Sequence, residues 1–349
     1  MSDRSTPIRV EGRAEPRWDV AAVQDAVSQG GLIHLRGRFD FGERGSVKIT
    51  RDVEIRGEAG RKGRTKIHGG FFTFHSPLPN SESRHAPRIV IDGFDFAGAL
   101  WTPIHLAFSA GTEITNNRVR DVRPYYLESL NVLNQKGLIC GVRYAKHELA
   151  PAQWSYVPGA FSGPLTITDN FFDLSVADET RTLGTGIFVA WTTGVVGRIA
   201  RNRVVNCPRT AIEGIDNHRG ENGGLFFIEG NRIITPRRGI ARPTSDTPNG
   251  IVVGWVLDPA GGLDPRRAIS YVVSGNRVLA RGRTSSALSV LGASGTVVSR
   301  NTLDVPARGA TAIRLSRAQS CLLADNVTTG RGCRTLSEFG ADDNLILRR

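Results

Sequence analysis

The densest polar run in the chain is IleGluGlyIleAspAsnHisArgGlyGluAsn (212–222), with Arg209 three residues ahead of it. Glu213 and Asp216 are two carboxylates at neighbouring positions, the kind of pair that serves as acid and base in glycoside hydrolysis, where the carboxyl groups must stand roughly 5–9 Å apart. The same run supports a second chemistry. Arg209 or Arg219 would neutralise a uronate carboxylate and acidify the adjacent C–H, and His218 would remove that proton in a β-elimination. A reading without chemistry also fits: Glu213 and Arg209 form a surface ion pair, and HisArgGlyGluAsn is a loop tip. Further candidates are Asp178 and Glu179, Asp258 and Asp264, and Arg237 and Arg238 beside Pro236. Asp-Pro initiates turns, so Asp258 and Asp264 read first as structure. No cofactor is expected: a Ca²⁺ site needs several converging oxygens, and these carboxylates have no defining spacing.

The elements that must position this run are short apolar phrases, each ending at an Asn. Asn117, Asn170, Asn202, Asn231, Asn276, Asn301 and Asn326 all follow two or three aliphatic or β-branched residues. A second anchor precedes them: Ile104, Ile139, Ile187, Ile212, Ile251, Leu288 and Ile313. Ile104 to Asn117, Leu288 to Asn301 and Ile313 to Asn326 are each 13 residues, and Asn276, Asn301 and Asn326 follow one another at 25. Each unit holds three strand-like runs, such as 287–291, 296–299 and 302–305, and leaves no room for a helix. Three short strands in such a period make one coil of a parallel β-helix, in which every strand pairs with its equivalent in the next coil. Asn at a fixed corner is expected to adopt the left-handed conformation of a sharp turn and to bond its stacked neighbours.

On these anchors the chain resembles the right-handed parallel β-helix, or pectate-lyase-like, superfamily over residues 30–347. The resemblance implies an all-β solenoid. It also implies, more weakly, a carbohydrate partner, since this scaffold carries pectate lyases, polygalacturonases, alginate lyases and epimerases, and phage tailspikes. The catalytic motifs of those enzymes are absent: AspAsp at 342–343 stands in the terminal coil, and no AspProHisAsp phrase occurs. No catalytic residue is therefore transferred from the family.

The 349 residues read as one continuous solenoid from 16 to 349 behind a loose polar arm at 1–15. A stripe of Val20, Val23, Ala26 and Val27 predicts a capping helix over 19–29, with Asp19 as N-cap and Gly30 as its stop. The net charge is +12, and only five of the 45 basic residues are Lys. That excess of Arg suits an anionic polymer, and equally a solvated surface. With no basic stripe interleaved with aromatics, nucleic acid is not the expected partner. Cys140, Cys207, Cys321 and Cys333 lack metal-type spacing and read as small buried residues. Neither a secretory signal nor an apolar membrane span is found, which leaves a virion, the cytoplasm, or secretion with the signal removed.

Extra residues at 140–164, 217–226 and 256–270 on one side, and 118–136, 171–185 and 232–248 on the other, leave from opposite ends of the anchor strand. They predict two walls around a cleft over coils 104–275, with plain coils at 276–349. Four residues beyond the anchors stand Phe108, Trp191, Asp216 and Trp255, a carboxylate between indoles that would stack a sugar ring. One residue beyond stand His105, Cys140, Phe188, Glu213 and Val252. The expectation is a protein that binds and cleaves an acidic polysaccharide there, by lyase or hydrolase chemistry. Its rival is a non-enzymatic virion or surface protein of tailspike, receptor-binding or decoration type, with a homotrimer as the expected assembly.

Overall fold

The computed structural model describes residues 6–58, 63–77, 86–100, 102–122, 138–140 (backbone), 161–175, 185–207, 209–221, 223–236, 249–256, 264–282, 286–331 and 334–347. They form a right-handed parallel β-helix. A ten-stranded sheet runs from Val47–Lys48 through Ile187–Ala190, Thr210–Ile215 and Asn249–Gly254 to Arg334–Phe339. A 21-stranded sheet supplies two further walls, which share the long strand Gly31–Asp40: its first half pairs with Val53–Gly57 and its second with Thr65–His68. The first wall contains Gly111–Thr115, Val196–Ala200 and Ser270–Ser274, and the second contains Arg118–Arg120, Arg203–Val205 and Arg277–Leu279. All these strand pairs are parallel.

Inward positions stack by type because each pairs with its equivalent in the next coil. Ile187, Ile212, Ile251, Leu288, Ile313 and Leu336 form one such column. One anchor read from the sequence is shifted: Leu138, and not Ile139, lies between Ile104 and Ile187. The column beyond the anchors therefore reads His105, Ile139, Phe188, Glu213 and Val252, and Cys140 drops out of it. Cys207 and Cys321 are buried free thiols.

The corner Asn residues stack as expected, but for one of the two expected reasons. From Asn117 to Asn326 each Nδ2 donates to the Oδ1 of the next Asn at 2.9–3.1 Å. Each Oδ1 also accepts a backbone N–H from its neighbour. The left-handed residue is the one before: Asn116, Asp169, Arg201, Gly230, Gly275, Arg300 and Asp325 have φ of 55–63°. That residue makes the turn, and the Asn turns inward to serve the amides that the turn leaves unpaired.

At the N-terminal end Pro16–Gln29 is the capping helix, with Val23, Ala26 and Val27 buried. Gly30 ends it at φ 76°. Asp19 is not the N-cap, which is Glu15; it lies fully buried inside the helix. Its carboxylate accepts the backbone N–H groups of Arg13 (2.9 Å), Glu15 (3.1 Å) and Asp40 (2.8 Å). The segment read as a loose arm includes a strand, Ile8–Arg13, paired with Gly31–Asp40. Much of the two loop walls expected over the central coils, with Asp178, Glu179, Arg237, Arg238, Asp258 and Cys333, lies outside the described residues.

Candidate functional site

The outer face of the ten-stranded sheet, where Ile187–Ala190, Thr210–Ile215 and Asn249–Gly254 lie side by side, brings the polar run together. Strand alternation sends Ile187, Val189 and Ile212 to the core and Phe188, Ala190, Glu213 and Ile215 outward. Phe188, Ala190 and Trp191 form a small apolar cluster of their own on this outer face, with Phe188 and Trp191 rings 5.3 Å apart.

Glu213 and Asp216 share the face and do different work. Glu213 is 3% exposed; its Oε2 accepts from Thr185 Oγ1 at 2.7 Å and from Arg209 Nη1 at 3.1 Å. This is a buried ion pair rather than the surface pair considered from sequence, with Arg209 itself largely covered. A carboxylate held by two donors in this way is fixed in place. Asp216 instead accepts the indole N–H of Trp191 on Oδ2, while its Oδ1 stands 3.5 Å from His218 Nε2. His218 is fixed through its backbone, which donates to Thr192 O and accepts from Gly194 N, both at 2.9 Å.

The column Trp191, Asp216 and Trp255 holds in register: Trp191 N donates to Asp216 O (3.0 Å) and Asp216 N to Gly254 O (2.8 Å). All three residues are left-handed, with φ of 54°, 53° and 57°. In later coils the same corner carries Gly292, Arg317 and Gly340. A bulky aromatic at positive φ costs on the order of 1–2 kcal/mol, and such strain gathers at functional sites. Gly254, just before Trp255, has φ 101°, and a Cβ there would sit 2.1 Å from Leu291 O, so the backbone approach that sets Trp255 requires glycine.

The aromatics do not form the exposed platform expected of them. Trp191 and Phe108 are buried at 8% and 5%, and the Phe108 carbonyl accepts from Ser76 Oγ, in an earlier coil. Trp255 is 42% exposed. Arg219 is exposed beside His218, with Nη2 3.4 Å from Ser270 Oγ. Asp264 accepts from Arg266 N, as an Asp-Pro turn residue does.

Three supporting residues had no motif to reveal them. Asn217 is fully buried; its Oδ1 accepts from Thr192 Oγ1 (2.9 Å) and its Nδ2 donates to Val189 O (3.0 Å) and Tyr271 Oη (3.2 Å). Tyr271 Oη donates to Gly214 O (2.9 Å), and burial pushes its hydroxyl pKa up. These two pin the corner that carries Asp216 and His218, while the third, Thr185, holds Glu213. Sequence reading also passed over a cluster earlier on the face: His105 stacks on Phe72 with centroids 4.3 Å apart, beside His75. Burial lowers the pKa of both imidazoles, that of His75 to about 4, with nearby Lys48 adding to it. Among the described residues no group of three or more His, Cys, Asp and Glu converges to hold a metal.

No family model matches the chain, and no curated protein matches it. Among solved structures it is similar to the Streptococcus pneumoniae surface protein and adhesin PfbA, with a TM-score of 0.51 at 11% identity, over 98% of this chain and 100% of that one. A second PfbA structure aligns at a TM-score of 0.41, also at 11% identity, over 95% and 93%. At that identity the likeness speaks for the β-helix fold.

Proposed function

We propose that this protein binds an acidic polysaccharide across the outer face of the ten-stranded sheet and cleaves it by β-elimination at Asp216 and His218. The observation that carries this reading is the Trp191–Asp216–His218 relay. The indole N–H fixes the carboxylate, and the carboxylate faces His218 Nε2 at 3.5 Å. An Asp216 that holds the Nε2 proton keeps the basic lone pair on Nδ1. His218 then takes the proton beside a uronate carboxylate, the C–O bond on the next carbon breaks, a C=C bond forms, and the departing oxygen is protonated. Arg219 neutralises the uronate carboxylate, and Trp255, half exposed one coil on, packs against the apolar face of a sugar ring. Hydrolysis by a Glu213–Asp216 pair is the weaker reading, because Arg209 and Thr185 already engage Glu213.

A second reading is a surface protein that binds without cleaving. It is favoured by the burial of Glu213, Asp216 and Trp191, and the protein whose fold is similar is a surface protein and adhesin.

The test is incubation with polygalacturonate, alginate, glycosaminoglycans and bacterial capsular polysaccharides, following ultraviolet absorbance from unsaturated uronate ends and reducing ends in parallel. Elimination predicts both signals from at least one acidic polymer, with the rate falling about 100-fold or more in His218→Ala. Reducing ends without absorbance would replace the lyase by a hydrolase. Binding with no product from any polymer would leave the adhesin-like reading.

A further inference from the structure

Four of the corner Asn residues are each followed by Arg: Arg118, Arg203, Arg232 and Arg277. Strand register places all four on one line along the outer face of the second wall. Arg118 pairs with Phe171, Phe171 with Arg203, Arg203 with Arg232, and Arg232 with Arg277. All four arginines are exposed, and the guanidinium of Arg203 lies 5.4 Å over the Phe171 ring. Successive members of such a row are one strand spacing apart, about 4.7–4.9 Å.

Like charges directly opposite each other on neighbouring strands are unfavourable, and surfaces ordinarily interleave carboxylates to relieve them. Here three nearby carboxylates serve other arginines. Asp95 binds Arg120 at 3.2 Å, Glu229 binds Arg198 at 2.7 Å, and Asp169 binds Arg201 at 2.8 Å. Among the described residues none of the four ladder arginines holds an ion pair. Arg232 and Arg277 line a groove of about 300 Å³ together with Ile234, Leu279 and Asp304.

We propose that this row is a second binding site, for a linear polysaccharide carrying one carboxylate or sulfate per sugar. A straight file of guanidiniums, one per coil from Arg203 to Arg277 with Arg118 two coils before, matches an extended polymer whose charge recurs once per ring, and each fork takes two oxyanion oxygens. The apolar pair Ile234 and Leu279 beside Arg232 and Arg277 suits a sugar face. Single-stranded nucleic acid would want several stacking aromatics, and Phe171 is alone on the line. The row lies on a different wall from the Asp216–His218 site and does not depend on it.

The test measures binding of labelled heparin oligosaccharides and oligogalacturonate, with single-stranded DNA of equal charge alongside, across a range of salt. The full chain carries His218→Ala, so that cleavage does not enter. Arg203→Gln, Arg232→Gln and Arg277→Gln are combined in one variant. A control combines Arg17→Gln, Arg44→Gln and Arg51→Gln, which removes equal charge from exposed arginines at the N-terminal end, away from both faces. The ladder variant is expected to bind an anionic glycan about tenfold or more weaker, with the slope of log Kd against log salt shallower by about 2–3, and the control within about twofold of its parent. Equal losses in both variants, no loss in the ladder variant, or no glycan binding by the parent would overturn the site. DNA bound through the row more tightly than either glycan would overturn the choice of ligand.

Discussion

His75 stands on the outer face of the ten-stranded sheet between Lys48 of the preceding coil and His105 of the next, with the two imidazole centroids 5.0 Å apart. Burial first, and the Lys48 charge second, hold its pKa at about 4 against an ordinary 6.5. Between those two values the unfolded chain binds a proton that the folded chain refuses, so stability rises with pH across the window. The contribution is fully present above about pH 6.5 and is lost as pH falls toward 4; it is on the order of 3 kcal/mol, and His105 adds in the same direction. Denaturant unfolding at a series of pH values should show this loss in the wild type and a flatter profile in His75→Phe. An unchanged profile in that variant would show that the imidazole is not held neutral. At this scale the sequence disclosed which groups gather: Glu213, Asp216, His218 and Arg209 do share a face. It could not disclose their division of labour, because that depends on Thr185 and Trp191, which reach Glu213 and Asp216 only across coils.

At the scale of the repeating coil, the amide stack is the most exacting element. Asn231 Oδ1 accepts from both the backbone N–H and the Nδ2 of Asn202, and its Nδ2 donates to Ile199 O and to Asn276 Oδ1. Asn231→Ala leaves the buried backbone N–H of Asn202 without its acceptor and takes a donor from Asn276 Oδ1 in the next coil, which should cost about 2–4 kcal/mol. Hydrogen exchange should quicken first at the amides of 202 and 231 and their neighbouring coils, and barely at Asn117, because a solenoid transmits stability only between neighbours. Uniform acceleration along the chain would contradict that locality. The period and the Asn column were legible because inward positions repeat their chemistry. The shift from Ile139 to Leu138 was not, since both are aliphatic and the long excursion before Ile187 erases the 13-residue offset that fixes register elsewhere. The Asn-Arg recurrence was in plain sight, yet it acquires meaning only when parallel pairing turns a spacing of 29 or 45 residues into adjacency.

For the molecule as a whole, a stack of coils is only as closed as its ends. At the N-terminal end the closing piece depends on one carboxylate: Asp19, buried in Pro16–Gln29, receives amides from the strand Ile8–Arg13, from the helix start and from Gly31–Asp40. Three charge-assisted bonds to separate elements make it the fastener of the cap rather than a local helix signal, which is why the sequence rule for N-caps found the residue and misread its task. Asp19→Ala would orphan all three amides and free the apolar stripe of Val23, Ala26 and Val27 to lift from the first coil. Because contacts run only between neighbouring coils, the consequence should be graded. Exchange protection should fall most over 8–40, less over 53–68, and hardly at all beyond Asn276, with the Asp216–His218 face and the arginine row unaffected. Asp19→Asn, which keeps one acceptor oxygen without the charge, should fall between. Loss of protection along the entire chain in Asp19→Ala would mean that the coils unfold as one cooperative body and that the cap governs them all.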